Sequence, residues 1–196
     1  MKTLEELDTQ LFLFLNNLGN TQWDVFWLAI TNKWYSIPLY VLLLYLIFKY
    51  FGLKKTGVIL LLIALLITCT DQLANLFKYG FERPRPCQLD SLMNKARFIA
   101  VRCGRYGYFS AHAASTMALA VFVGSILYRY LRFMPAGLLV WAVIVAYSRI
   151  YIGVHYPGDV LTGFIIGGIL GVLFYRIYLY TLRKFNLTSG VSREDN

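Results

Sequence analysis

Residues 58–77 read VILLLIALLITCTDQLANLF, twenty positions that carry one charged side chain, Asp71. Roughly 20 predominantly apolar residues in helical form are what it takes to cross the hydrocarbon core of a bilayer. A helix apolar on every side needs lipid or protein around it rather than water. Four further runs of the same kind flank this one, at about 34–51, 110–130, 134–152 and 160–182. The expected fold is therefore all-α, a polytopic membrane helix bundle of about five transmembrane helices. The composition agrees: 58% of the 196 residues are hydrophobic, 15% are charged, and mean hydropathy is +0.56. A soluble domain of this length needs more polar surface to cover it.

Before the first run, apolar residues fall at 4, 7, 11, 12, 14, 15 and 18, a helical spacing, and Asn16, Asn17, Gly19, Asn20 and Asp24 then interrupt it. Residues 1–33 read as interfacial N-terminal helices rather than a span, with a broken sixth span as the alternative. Residues 34–182 form the transmembrane core and 183–196 a cytoplasmic tail, all within a single domain 1–196. No cleavable signal peptide is expected, since Met1 to Asp8 is acidic and lacks a basic leading region. The fifth run carries Gly163, Gly167 and Gly171 at four-residue spacing, a seam for close helix packing in lipid.

The formal net charge is +9. No basic tail, zinc spacing or RNA-binding signature accompanies it, so nucleic acid is not the expected partner. Of the 19 Lys and Arg, nine fall on the side of the tail and ten on the side of the long loop 80–109, which leaves the positive-inside rule undecided. Most of the long-loop charges lie in 78–105, beside candidate phosphate ligands. Setting those aside makes the tail side cytoplasmic and the long loop extracytoplasmic. Cys87 and Cys103 flank that loop, and a disulfide between them is open if the loop meets an oxidising compartment. Cys69 sits inside an apolar run.

Three segments share the long-loop side: Lys78 to Pro86, Phe109-Ser110-Ala111-His112, and Ser148-Arg149 to His155 and Asp159. Lys78, Arg85 and Arg149 offer positive charge, and arginine adds a planar fork of donors that matches phosphate oxygens. Ser110 stands at a helix start, where free backbone N–H groups favour anions. His112 and His155, the two histidines of the chain, can act as nucleophile or acid–base. Asp159, four residues after His155, can hold its ring in one tautomer. Each residue alone has a bland alternative: a lipid-facing anchor for a cation, a packing role for a histidine, helix caps for Ser110 and Asp159. Ionisable groups gathered at one membrane face are costly and tend to be functional. Asp71, Gln72 and Asn75 lead toward Lys78 on one helix, either for interhelical hydrogen bonds or for support of a site cation.

Together these segments resemble the signature of the type 2 phosphatidic acid phosphatase family, which is related to the vanadium haloperoxidases. Lys78, six residues, then Arg85-Pro86 fits its first motif, and Ser148-Arg149, His155 and Asp159 fit its third. The second, Pro-Ser-Gly-His in the family, is Phe109-Ser110-Ala111-His112 here. The glycine whose N–H touches phosphate is thus Ala111, which keeps the contact if its backbone angles suit a non-glycine residue. The resemblance implies a lipid phosphatase without cofactor or metal. His155 would be the nucleophile, Asp159 its orienting group and His112 the acid and base. Lys78, Arg85, Ser110, Ala111 and Arg149 would hold the phosphoryl group. It further implies a multi-pass protein of the bacterial cytoplasmic (inner) membrane with an extracytoplasmic site. The expected substrate, by likeness to short bacterial members, is undecaprenyl diphosphate, giving undecaprenyl phosphate. Phosphatidylglycerol phosphate, phosphatidic acid and lipid A are alternatives. No protein partner is implied.

Two other classes compete. A transporter would also bring charges into spans, but no inverted repeat or paired broken helices are visible. A non-catalytic scaffold would not need both histidines, the carboxylate and the basic set together. Phe12, Phe14, Trp23, Phe26 and Trp27, within residues 4–31, are expected as interfacial anchors, with a part in a tail-entry wall beside the site as the alternative.

Overall fold

The structure, a computed structural model, describes residues 3–186; the outer part of the expected tail, 187–196, lies outside the described residues. Six helices follow in order: α1 Leu4–Asn17, α2 Asp24–Thr31, α3 Ile37–Phe81, α4 Ala111–Leu127, α5 Met134–Tyr151 and α6 Pro157–Lys184. The chain is thus an all-α membrane helix bundle. Three of these helices, those holding 37–81, 134–151 and 157–184, are long and apolar enough to cross a membrane, and α4 is a shorter apolar helix.

The first two expected spans both lie in α3. Gly52 breaks it at φ 68°, a left-handed conformation that favours glycine. The two arms, 37–51 and 53–81, pack into one core: Leu43 and Ile47 of the first join Ile59, Leu62 and Leu66 of the second. Thr56 Oγ1 donates to the Gly52 carbonyl at 2.7 Å, which ties up the turn. Tyr50 stacks on Tyr130 with centroids 4.5 Å apart, so this turn lies beside the α4–α5 link.

Helix α4 is buried on nearly every side and packs mainly against α6 and α5. The glycine seam explains the closeness to α6. A Cβ added at Gly163 would stand 2.7 Å from the Ser110 carbonyl, one at Gly171 2.8 Å from that of Ala118, and one at Gly167 would overlap the Ala114 carbonyl. This approach brings the starts of α4 and α6 together, and the Ser110 N–H donates to the Asp159 carbonyl at 3.0 Å.

Helices α1 and α2 close the same end of the bundle. Phe12 is fully buried and meets Tyr156 edge-on at 5.5 Å. The Asn16 amide nitrogen lies within 3.0 Å of the carbonyls of Arg97, Ile150 and Tyr151, capping the end of α5. Arg97 Nη2 in turn lies 2.8 Å from each carboxylate oxygen of Asp24 on α2. Gly153, at φ 84°, turns the chain out of α5; a Cβ there would press on Phe98.

Candidate active site

Each helix brings chemistry to the same end. Lys78 is in the last turn of α3, His112 in the first turn of α4, and Arg149 in the last turn of α5. His155 lies in the link before α6, and Asp159 in α6's first turn. Lys78, Arg85, Ala111, His112, Arg149 and His155 line one cavity of about 690 Å³. Ala111 is the first residue of α4 and is not among the residues of positive φ. An alanine therefore fits where the family signature has glycine, and its N–H belongs to the open helix end. Phe109, in the proline position, is fully buried and meets Phe77 edge-on at 5.1 Å.

Ser110 and Asp159 do not line the cavity. Ser110 is buried, and its hydroxyl accepts from the Ala113 N–H at 3.4 Å, capping α4. Asp159 stands behind His155. Its Oδ2 is 3.3 Å from His155 Nδ1 and accepts from the Tyr156 N–H at 3.0 Å. That leaves Nε2 as the imidazole nitrogen on the far side of the ring from Asp159. Burial, followed by the positive charges of Arg85, Arg149 and Lys78, pushes the His155 imidazole well below its ordinary pKa.

Among the described residues none of Lys78, Arg85 and Arg149 forms an ion pair. Arg85 is held by its own loop: its Nε donates to the Tyr106 carbonyl at 2.9 Å and its backbone N–H to the Arg105 carbonyl at 3.2 Å. Arg149 donates to the Thr31 hydroxyl, while its Nε is buried without a partner among the described residues. A buried donor left open beside two other cations suits an anion. Asp71 also lines the cavity, while Gln72 and Asn75 are exposed. Cys87 and Cys103 are joined as a disulfide, with Cα atoms 6.5 Å apart.

Away from the cations the same cavity becomes apolar. Its wall takes Leu60, Ile63 and Ile67 from one arm of α3 and Tyr40, Leu43 and Ile47 from the other. Leu119 and Val123 come from α4, Trp141 and Val145 from α5. The spacings of three, four and seven put each set on one helix face. At 1.5 Å per residue, Val123 lies about 16 Å along α4 from His112. Phe12, Phe14, Trp23, Phe26 and Trp27, the alternative candidates for a tail wall, are not part of this wall. Phe12 turns into the core, Trp27 packs on Tyr147 and Tyr151, and none of the five lines the cavity. Ile30, Thr31, Lys33 and Ser36 do, at the end of α2 and in the turn that follows it. Thr31 and Lys33 carried no periodic or motif signal in the sequence.

A buried histidine–aspartate pair facing an anion pocket at the end of a membrane bundle defines a class of phosphoryl-transfer enzyme. The chain belongs to the PAP2 superfamily, which matches residues 56–183, and is a membrane-embedded lipid phosphatase. It is 37% identical over 177 residues to the lipid A 4'-phosphatase of Bacteroides thetaiotaomicron, covering 89% of this chain and 78% of that protein. It is 32% identical to that of Porphyromonas gingivalis, covering 94% and 78%. An undecaprenyl-diphosphatase of Sulfolobus acidocaldarius is 29% identical, covering 85% and 69%. Among solved structures, Aquifex aeolicus LpxE superposes with TM-score 0.69 at 26% identity, covering 89% of this chain and 99% of that one. The Bacillus subtilis PAP2-type phosphatidylglycerolphosphate phosphatase gives 0.70 at 20% identity, covering 100% and 90%, a likeness of fold.

Proposed function

We propose that this enzyme removes a phosphate monoester from the sugar headgroup of a lipid A-type saccharolipid. The observation that carries the reading is one cavity that joins both histidines and three cations, none in an ion pair among the described residues, to an apolar trough. A headgroup phosphate fits the first end and an acyl chain the second. Two curated relatives above 30% identity bear the name lipid A 4'-phosphatase, which favours a monoester on lipid A over undecaprenyl diphosphate. The latter stays as a second reading on the strength of the more distant relative.

In this reading His155 Nε2 attacks phosphorus and the bond from phosphorus to the sugar oxygen breaks. His112 gives its proton to that oxygen, releasing the alcohol and leaving phosphohistidine. Water then attacks phosphorus, His112 takes its proton, and the nitrogen–phosphorus bond breaks to release phosphate and restore His155. Lys78, Arg85, Arg149 and the Ala111 N–H hold the three equatorial oxygens as charge spreads onto them. The incoming phosphate supplies the negative charge against which His112 holds its proton. Ser110 contributes by capping α4, which points that helix end at the phosphate. Binding of the tail holds the phosphate in line with His155.

The whole chain acts as one domain of about five spans in the bacterial inner membrane, with the site on the extracytoplasmic face. The disulfide at the site end supports that orientation, since such bonds persist in oxidising compartments. Purified protein in one detergent, offered lipid A, undecaprenyl diphosphate, phosphatidylglycerol phosphate, phosphatidic acid and glucose 6-phosphate, tests the substrate. Lipid A should have the highest kcat/KM, by about tenfold or more, a preference of roughly 1.4 kcal/mol. An equal margin for undecaprenyl diphosphate selects the second reading, and glucose 6-phosphate as best substrate ends the lipid assignment. For orientation, a membrane-impermeant thiol reagent should label Ser91→Cys in intact cells and Lys54→Cys after lysis only, both in a background lacking native cysteines. The reverse pattern overturns it.

A further inference from the structure

We propose that Arg83 is a positioning residue for the His155–Asp159 pair, and that Asp8 on α1 holds Arg83 in place. This rests on the reading of His155 as nucleophile. Arg83 sits two residues before the phosphate-facing Arg85, yet it does not line the cavity. Its guanidinium is turned to the back of the site. Nη1 donates to Asp159 Oδ1 at 2.8 Å and Nη2 to Asp8 Oδ2 at 2.7 Å.

The Asp159 carboxylate is thereby held at both oxygens. Oδ2 takes the Tyr156 N–H and faces His155, and Oδ1 takes Arg83. The side chains of His155 and Asp159 are 3% and 1% exposed. A carboxylate so buried is costly to keep charged without a partner. Removing Arg83 would free it to rotate or to take a proton, and in either case the ring of His155 loses its fixed acceptor. Asp8 reaches further: its Oδ1 accepts from the Gly158 N–H at 2.7 Å, an open donor in the first turn of α6. The ring of Tyr156 lies 4.1 Å below the guanidinium and Phe12 meets that ring edge-on, which fixes the plane of the fork. The Arg83 carbonyl accepts from the Gly107 N–H at 3.0 Å. A Cβ at Gly107 would stand 2.8 Å from Arg85 Cγ and 3.6 Å from His155 Nδ1, so the strap leaves no slack beside the histidine. Helix α1, outside the segment that the family matches, is in this way wired to the nucleophile.

Steady-state kinetics on a lipid phosphomonoester in detergent test the assignment, with thermal unfolding of each variant alongside. Arg83→Met should lower kcat about 100-fold, the scale of losing an oriented general-base partner, with KM within about threefold. Arg83→Lys, which keeps the charge but lacks the planar fork whose two nitrogens reach Asp159 and Asp8 separately, should lie between Arg83→Met and the parent. Asp8→Asn should lower kcat roughly tenfold, and the Asp8→Asn/Arg83→Met double variant should be no worse than Arg83→Met alone. If Arg83→Met does not fold, Arg83→Lys and Asp8→Asn carry the test. Parental kcat in the folded variants, a loss confined to KM, or effects of Asp8 and Arg83 that multiply would overturn the proposal. His155→Ala is the control: if it keeps turnover, the nucleophile reading fails. If it is inactive while Arg83 variants are unaffected, the positioning role alone fails.

Discussion

The two sides of His155 are built on opposite rules. Toward the cavity stand Lys78, Arg85 and Arg149, none in an ion pair among the described residues, with one arginine nitrogen buried and open. Behind the ring stand Asp159, Arg83 and Asp8, joined by contacts of 2.7 and 2.8 Å. Arg83 and Arg85 are separated by one proline, yet each belongs to a different side. In the proposed mechanism the unpaired front is completed by the anion of the substrate, and the back is completed by the protein itself so that the imidazole does not move. On that proposal charge near the nucleophile does two jobs, and pairing tells them apart.

The comparison is broken most directly at the residue between the sides. His155→Ala should lower kcat by at least about a thousandfold, as expected for the loss of a covalent nucleophile. The unfolding temperature should stay near that of the parent. Retention of more than a few per cent of activity, measured as phosphate release, would remove the reason to distinguish front from back.

The front alone is tested by Arg149→Lys. It keeps the positive charge but loses the planar fork and its bond to Thr31. We expect roughly 10- to 100-fold lower kcat/KM with both kcat and KM changed, because the lost contacts are made to substrate and transition state alike. An Arg83 variant should change kcat with KM nearly constant. If the two arginines gave the same pattern, the two sides would not be distinct. Excess EDTA should leave the parent's rate unchanged, since the cavity wall offers cations and a single carboxylate, Asp71. Vanadate, which can adopt the five-coordinate geometry of the transition state, should inhibit. Loss of activity on chelation, restored by magnesium, would mean that the front needs a metal to bind phosphate.

The front was more legible in the sequence than the back, for a physical reason. Lys78, Arg85, Ala111, His112, Arg149 and His155 occur in short motifs at helix ends, and a five-span topology sends those ends to one face. Asp159 was legible through its local four-residue spacing from His155. Arg83 was not, because nothing in Arg-Pro-Arg-Pro says which fork turns inward. Asp8 was still further from view, since it reaches Arg83 across 75 positions through the packing of an amphipathic helix. Ser110, read as a phosphate ligand with a helix cap as its alternative, does cap α4. Of residues 4–31, the alternative tail wall, Ile30 and Thr31 alone line the cavity; the aromatic residues in 12–27 carried the strong signal, but the lining continues into 33–47. The two apolar runs read as separate spans are the two arms of α3, on either side of the non-helical Gly52, where the apolar signal was interrupted by Gly52, Lys54 and Lys55.

A smaller effect should come from the seam that brings α4 and α6 together. Gly167→Ala puts a methyl group against the Ala114 carbonyl, a backbone atom that cannot rotate away. Overpacking of this kind costs about 1–3 kcal/mol. Thermal unfolding should shift downward, and activity should fall several-fold as Ser110 and Asp159 are pushed apart. At Gly168 the added methyl meets nothing, so Gly168→Ala is the control and should leave both quantities near parental values.

The smallest expected effect concerns the loop that carries both arginines. The Cys87–Cys103 disulfide closes a 16-residue separation. Restricting a loop of that length in the unfolded chain stabilises by roughly 3 kcal/mol at most. Its contribution to the active geometry should be slight, because the strap is fastened nearer the site by other bonds. The Arg85 N–H meets the Arg105 carbonyl, Arg85 Nε the Tyr106 carbonyl, and the Gly107 N–H the Arg83 carbonyl. These lie between the disulfide and His155, so they would still align front and back after its removal. The Cys87→Ser/Cys103→Ser variant should therefore unfold at a lower temperature while keeping kcat within about threefold of the parent, a change of under 1 kcal/mol in the barrier. A large fall in kcat with KM unchanged would mean that the disulfide, rather than the inner hydrogen bonds, keeps Arg83 against Asp159. A large rise in KM would mean that it keeps Arg85 at the phosphate. Either result would assign the clamp to one side of His155.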